Sequence, residues 1–174
     1  AFPEIAIEGP PLQEMKTRTR VPIRLHYRTG SDDFELAASL NRRGGWSYNL
    51  DKYSYTLRLS DKLPLGNLPT DNDWVLNASY IDKTFLRHKL AYDLFRKMGT
   101  HNLAPLCSYF RLIYNQEYQG LYILMEKMDA STLHLDKKQE EACIFKDPPL
   151  FIADSLAKVL DVNNYFEQKY PPLA

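Results

Sequence analysis

The sequence predicts an α+β domain: a mainly antiparallel sheet, one long helix and a short helical segment near the C-terminal end. Three observations predict it. Segments such as VPIRLHYR (21–28) and YSYTLRL (53–59) alternate apolar and polar residues as half-buried strands do. A single strong helical pattern covers 81–99. No strand–helix–strand alternation supports a parallel sheet. The 174 residues, 44% hydrophobic and 25% charged, suffice for one compact domain or a large piece of one. Lys plus Arg (22) equals Asp plus Glu (22), so no net field marks nucleic acid or an anionic membrane as the main partner. No apolar run approaches the length that a membrane-spanning helix needs.

Taken in order, VPIRLHYR is followed by DFELAASLN (33–41), a second strand that ends at a Gly44-Gly45 break. YSYTLRL alternates again. KLPLGNLPTDND (62–73), with two Pro and one Gly, predicts a loop, and WVLNASY (74–80) a short apolar strand or extended segment. In the helix, Asp82 is a natural N-cap, Ile81 and Leu86 form a hydrophobic staple, and Gly99 suits the C′ position. LCSYFRLIY (106–114) and YQGLYILME (118–126) flank the polar turn NQE and predict a hairpin. ACIFK (142–146) suits one more strand. Pro148 and Pro149 introduce a short helix over residues 150–161. The chain begins at Ala1 without Met and stops at KYPPLA with Tyr170 and Leu173 unspent, which reads as a mature or trimmed fragment.

Several chemistries are set aside. His26, His88, His101 and His134 lack ligand spacing for zinc. Neither GxxxxGK[ST] nor GxGxxG occurs, nor does GxSxG. Cys107 and Cys143 sit in apolar contexts that favour two buried thiols over a disulfide between them.

On the helix, a 100° advance per residue places Arg87 with Leu90, Leu94 and Met98, and therefore inward, opposite Lys89, Asp93 and Arg96. A buried guanidinium needs anionic or carbonyl partners. Either Arg87 ties the helix to a loop carboxylate such as Asp71 or Asp73, or it organises a site facing the sheet. His88 reads as a packed core-edge histidine with no chemical role, beside Tyr92 and Phe95.

Four motifs in order, RRGGWSYNLDKYSYTLRL, WVLNASYIDKTFLRHKLAYDLF, YQGLYILMEKMD and CIFK, resemble the spore coat protein H (CotH) kinase-like family. The matching positions are Arg43, Gly44, Ser47 and Lys52; Asn77, Asp82, Thr84 and Arg87; Gly120, Tyr122 and Glu126; and Lys146. The resemblance covers most of residues 35–147. It implies the nucleotide-binding, kinase N-lobe-like portion of an atypical protein kinase over 1–147, with 148–174 as the start of a second lobe. The implied reaction moves phosphate from ATP, with Mg or Mn, to serine on a coat or other secreted protein. The implied location is extracytoplasmic, secreted or at a spore or cell surface. The family's catalytic aspartates, in an Asn/Asp loop and a WDxD segment, have no counterpart, because Trp46 precedes Ser and Trp74 precedes Val. This chain alone is therefore expected to be inactive. The alternative is a non-catalytic coat, adhesive or scaffold module.

The resemblance gives the Arg-Arg-Gly-Gly corner a chemical meaning. Gly44 lets backbone N–H groups approach phosphate, Arg43 pairs with its oxygens, Ser47 adds a hydroxyl and Lys52 a point charge. Without the resemblance, the same stretch reads as a β-bulge or wide turn with solvated Arg and Lys. Glu126 resembles a hinge contact to adenine or a carboxylate pairing a site lysine, and reads equally well as an exposed strand-end Glu. Lys146 competes with Lys52 as the phosphate lysine. Asp82 and Arg87 are expected to support the site structurally.

Overall fold

The computed structural model describes residues 2–16, 19–130, 132–133, 135, 144–146, 157–158 and 165–170. The chain divides into two compact units, Ala1–Lys127 and Met128–Ala174.

The first unit is a closed barrel of seven strands: β1 (Glu4–Glu8), β2 (Val21–Arg28), β3 (Asp33–Arg43), β4 (Ser54–Pro64), β5 (Thr70–Asn77), β6 (Cys107–Tyr114) and β7 (Glu117–Glu126), in the order β1-β2-β3-β4-β5-β7-β6. Its helix α1 (Arg87–Lys97) has 11 residues. The expected kinase N-lobe-like α+β sheet with one long helix is therefore overturned. Closure depends on β1, which runs antiparallel to β2 (Ile5 opposite Tyr27) and parallel to β6 (Ile5 opposite Leu112). A five-residue strand boxed in by prolines is easily passed over in sequence, yet by pairing on both sides it removes both sheet edges.

Alternation fills the barrel. Ile5, Ile7, Leu25, Tyr27, Leu40, Tyr55, Leu57, Trp74, Leu76, Phe110, Leu112, Tyr122 and Leu124 point inward and are essentially inaccessible to solvent. β3 runs past the expected end at Asn41 to Arg43, and β4 and β5 shorten the predicted loop to residues 65–69.

Helix α1 lies on the outside of the barrel, where Tyr92 and the preceding Phe85 pack with Tyr109 on Val75, Cys107, Ile123 and Met125. Its phase is the reverse of the expected one. Leu90, Leu94 and Met98 are 65%, 55% and 71% exposed, and Arg87 points to solvent with its side chain 79% exposed. The half-buried residues of the helix are His88, Lys89, Tyr92, Asp93 and Arg96 instead. Polar anchors decide this. Arg96 donates to the carbonyls of Ala104 and Pro105 and pairs with Asp93, which also accepts from Lys89. Periodicity identifies an apolar stripe; it does not say which surface the stripe faces. Asp71 and Asp73 do not serve Arg87 either. Asp73 is buried and pairs with Arg58 (2.9 Å) and Arg20 (3.2 Å), while Arg87 Nε stands 3.7 Å from Asp82 Oδ1. Among the described residues, no helix is long and apolar enough to cross a membrane.

In the second unit, β10 (Tyr165–Tyr170) pairs antiparallel with β8 (Ile144–Lys146) and with β9 (Ala157–Lys158). Ala157 and Lys158 are thus strand where a helix over 150–161 was expected. The rest of that segment, and Cys143, lie outside the described residues. Cys107 is a buried free thiol, pushed up to about 11 by desolvation.

Candidate functional site

A cavity of about 530 Å³ opens where β3 and β5 end and β4 begins, beside the start of α1. That volume falls within the range of small-molecule sites. It brings together Arg43, Gly44, Ser47, Lys52, Asp82 and Arg87.

Strand alternation sorts the two adjacent arginines. Arg42 is 9% exposed, and its guanidinium is stacked between the rings of Tyr48 (3.8 Å) and Tyr53 (3.3 Å) and donates to the Tyr48 carbonyl. It fastens the 3-10 turn Trp46–Asn49 to the barrel end. Arg43 lies on the opposite face, at the cavity. It is exposed as a residue, yet desolvation lowers the pKa of its guanidinium, with Tyr92 opposing the shift. Gly44 has φ +131°, and a Cβ there would collide with Ser47 Oγ. Only glycine lets the chain turn this tightly and keep the Ser47 hydroxyl in place.

Lys52 fills a gap left by the end of β5. Its ammonium donates to the carbonyls of Leu121 (2.6 Å) and Ala78 (3.2 Å) and lies 4.2 Å from the centre of the Tyr122 ring. Gly120, at φ +96°, makes room: a Cβ there would come within 3.4 Å of Lys52 Nζ. Among the described residues no carboxylate pairs with this lysine. Desolvation, with the Lys83 charge adding to it, lowers its pKa from 10.5 to about 8.

The entry to α1 is organised by Asp82. Its Oδ1 accepts from Thr84 Oγ1 (2.6 Å) and its Oδ2 from the Arg87 N–H (3.0 Å). The Thr84 hydrogen bond is the main cause that holds its carboxyl below the usual range. Asp82 was expected to cap a helix starting at once; instead Phe85 adopts φ +58° and the helix begins at Arg87. Among the described residues Asp82 is the one carboxylate on the cavity wall, and both its oxygens are engaged. The donors around it, two guanidiniums, an ammonium and hydroxyls, suit phosphate oxygens. No group of His, Cys, Asp and Glu suited to a metal ion occurs among the described residues.

Glu126 is not on the cavity wall. It ends β7 opposite Trp74, and its Oε2 accepts from the Leu106 N–H at 2.7 Å. Lys146 ends β8 in the second unit, opposite Glu167.

Sequence reasoning missed Ser79 and His88, both on the cavity wall. Ser79 is buried at φ +47°, with its N–H donated to Asn77 Oδ1 (2.9 Å). Asn77 Nδ2 faces His88 Nε2 at 3.3 Å. Asn77 was singled out only through the family pattern. Its neighbours became legible once β5 ended at Asn77 and turned the chain back across the cavity.

No curated protein matches the sequence. The family model described as CotH kinase protein matches residues 40–170, a span that includes the whole cationic cavity wall. The chain belongs to the CotH kinase family.

Proposed function

We propose that the cavity holds the phosphate groups of ATP, and that the chain is the nucleotide-binding portion of a CotH-like kinase that phosphorylates serine on coat or other secreted proteins. One observation carries this reading: Arg43, Lys52 and Arg87 line one cavity whose single carboxylate among the described residues is already engaged. Phosphoryl transfer depends mainly on positioning and charge neutralisation, and this wall offers both. Arg43 and Arg87 present forked donors to phosphate oxygens, Ser47 adds a hydroxyl, and Gly44 allows the backbone to approach. Mg or Mn arriving with the nucleotide would supply further neutralising charge at its phosphates. A spore-coat or other extracytoplasmic setting follows the family.

Lys52 contributes charge from its carbonyl seat, or leaves that seat to meet phosphate. The Lys–carboxylate pair of typical kinases is not assembled among the described residues. With no counterpart in this sequence to the family's WDxD segment, nucleotide binding without turnover is the outcome expected of this chain. Titrating ATP with Mg or Mn while recording amide shifts tests the proposal. Shifts at residues 43–52 and 77–88 are expected, with no phosphate transfer. Shifts confined elsewhere would overturn the site, and measurable turnover would overturn the inactivity of the isolated chain.

A further inference from the structure

The same cavity wall contains two hydrogen-bond donors with nothing to donate to. Among the described residues, Ser79 Oγ and His88 Nδ1 are buried without a partner. Ser79 is 6% exposed, so its hydroxyl is shielded from solvent. An unpaired buried donor is costly, and a native structure retains one only with a reason.

The hydrogen-bond pattern determines which proton His88 carries. The Ser79 backbone N–H can only donate, so the Asn77 atom that receives it is the carbonyl Oδ1. The other end of that amide is then Nδ2, which also can only donate, and it faces His88 Nε2. Nε2 is therefore an acceptor in the neutral ring, and the proton resides on Nδ1. The Tyr92 ring stands edge-on to the imidazole at 6.1 Å between centroids and helps keep its plane. Asn77 thus does two things at once. It holds Ser79 in its left-handed turn and locks His88 as the Nδ1–H tautomer.

We infer that Ser79 Oγ–H and His88 Nδ1–H, aligned by Asn77, form a neutral donor subsite for a phosphate oxygen of the nucleotide. This rests on the phosphate-binding reading of the cavity. Two neutral donors add directional contacts without adding charge to a wall that already contains three cations. Ser79 and His88 are then binding residues, and Asn77 is a positioning residue.

The test combines imidazole ¹⁵N spectroscopy with binding of ATP and of inorganic triphosphate to the full chain. The free protein should show His88 protonated on Nδ1, and both probes should shift that Nδ1–H and the Ser79 amide. His88→Ala should weaken both probes roughly tenfold, the size of one hydrogen bond to a charged group. His88→Asn should retain affinity within about twofold, because the Asn amide nitrogen occupies the place of Nδ1, whereas His88→Gln should behave like His88→Ala. Asn77→Asp should return His88 to the Nε2–H tautomer, a change that a merely structural role would not require. An Nε2–H tautomer in the native protein overturns the inference whatever binds. Shifts at residues 43–52 with none at Ser79 or His88 overturn it and leave the phosphate site standing. No perturbation anywhere on the cavity wall removes the phosphate site and this subsite together.

Discussion

Adjacent arginines with opposite duties provide the sharpest test of the site. Arg42→Met keeps the aliphatic stem but removes a guanidinium stacked on Tyr48 and Tyr53 and bonded to the Tyr48 carbonyl. Each ring face contributes about 0.5–2 kcal/mol, and the charge-assisted bond about 1.5–3 kcal/mol. Against them stand the desolvation of a charge that is 9% exposed and a buried Nε without a partner among the described residues. The net loss should be about 2–4 kcal/mol. Arg43→Met removes a guanidinium that the fold does not hold in this way, so stability should change by no more than about 0.5 kcal/mol. Its effect should fall on phosphate binding. Urea unfolding followed by circular dichroism gives the first quantity, and ATP titration of the folded variants gives the second. If Arg42→Met unfolds like the native chain, or Arg43→Met costs as much as Arg42→Met, the strand alternation that assigns one arginine to the fold and the other to the cavity is wrong.

Arg87→Leu should leave stability within about 0.5 kcal/mol of native, since the side chain is largely solvated, while lowering ATP affinity. A loss of several kcal/mol in urea would restore the buried orientation that the helical pattern suggested. Leu94→Lys should be similarly mild because Leu94 faces solvent, whereas a core leucine would lose about 2–5 kcal/mol even on truncation to Ala. Lys52, lowered from 10.5 to about 8, should make anion binding pH-dependent. Its charged form favours phosphate, so affinity should hold below about pH 8 and fall as pH rises through it. Stability should move the opposite way. Between about 8 and 10.5 the unfolded chain binds more protons than the folded one, so the Lys52 contribution to stability rises with pH across that window. An affinity for triphosphate unchanged across that window would remove Lys52 from the binding set.

Local pattern carried most of the individual strands but neither the closed barrel nor the orientation of the helix. Alternation locates the strands that supply Leu25, Leu57 and Phe110 to the barrel, and the motif spacing singles out Arg43, Gly44, Ser47, Lys52, Asp82 and Arg87, which line one cavity, together with Glu126, which does not. These features are legible because each depends on spacing within one segment: a period of two along a strand, a fixed interval in a turn. What the sequence could not say was where each segment's second surface goes. The closure of the barrel depends on Ile5 lying between Tyr27 and Leu112, two contacts distant in sequence, and no local signal specifies them. The outward face of α1 was decided by carbonyls at Ala104 and Pro105 that capture Arg96, against the preference of its own leucines. The donors of Ser79 and His88 acquired meaning only when Asn77 joined two turns of chain. By itself, the sequence determined the alternating strands over 21–28, 33–41, 53–59, 106–114 and 118–126, which family the chain resembles and which charges gather in its motifs. Tertiary structure alone decided which side of each element meets the barrel, because that choice is made by pairing and polar satisfaction between segments far apart in the chain.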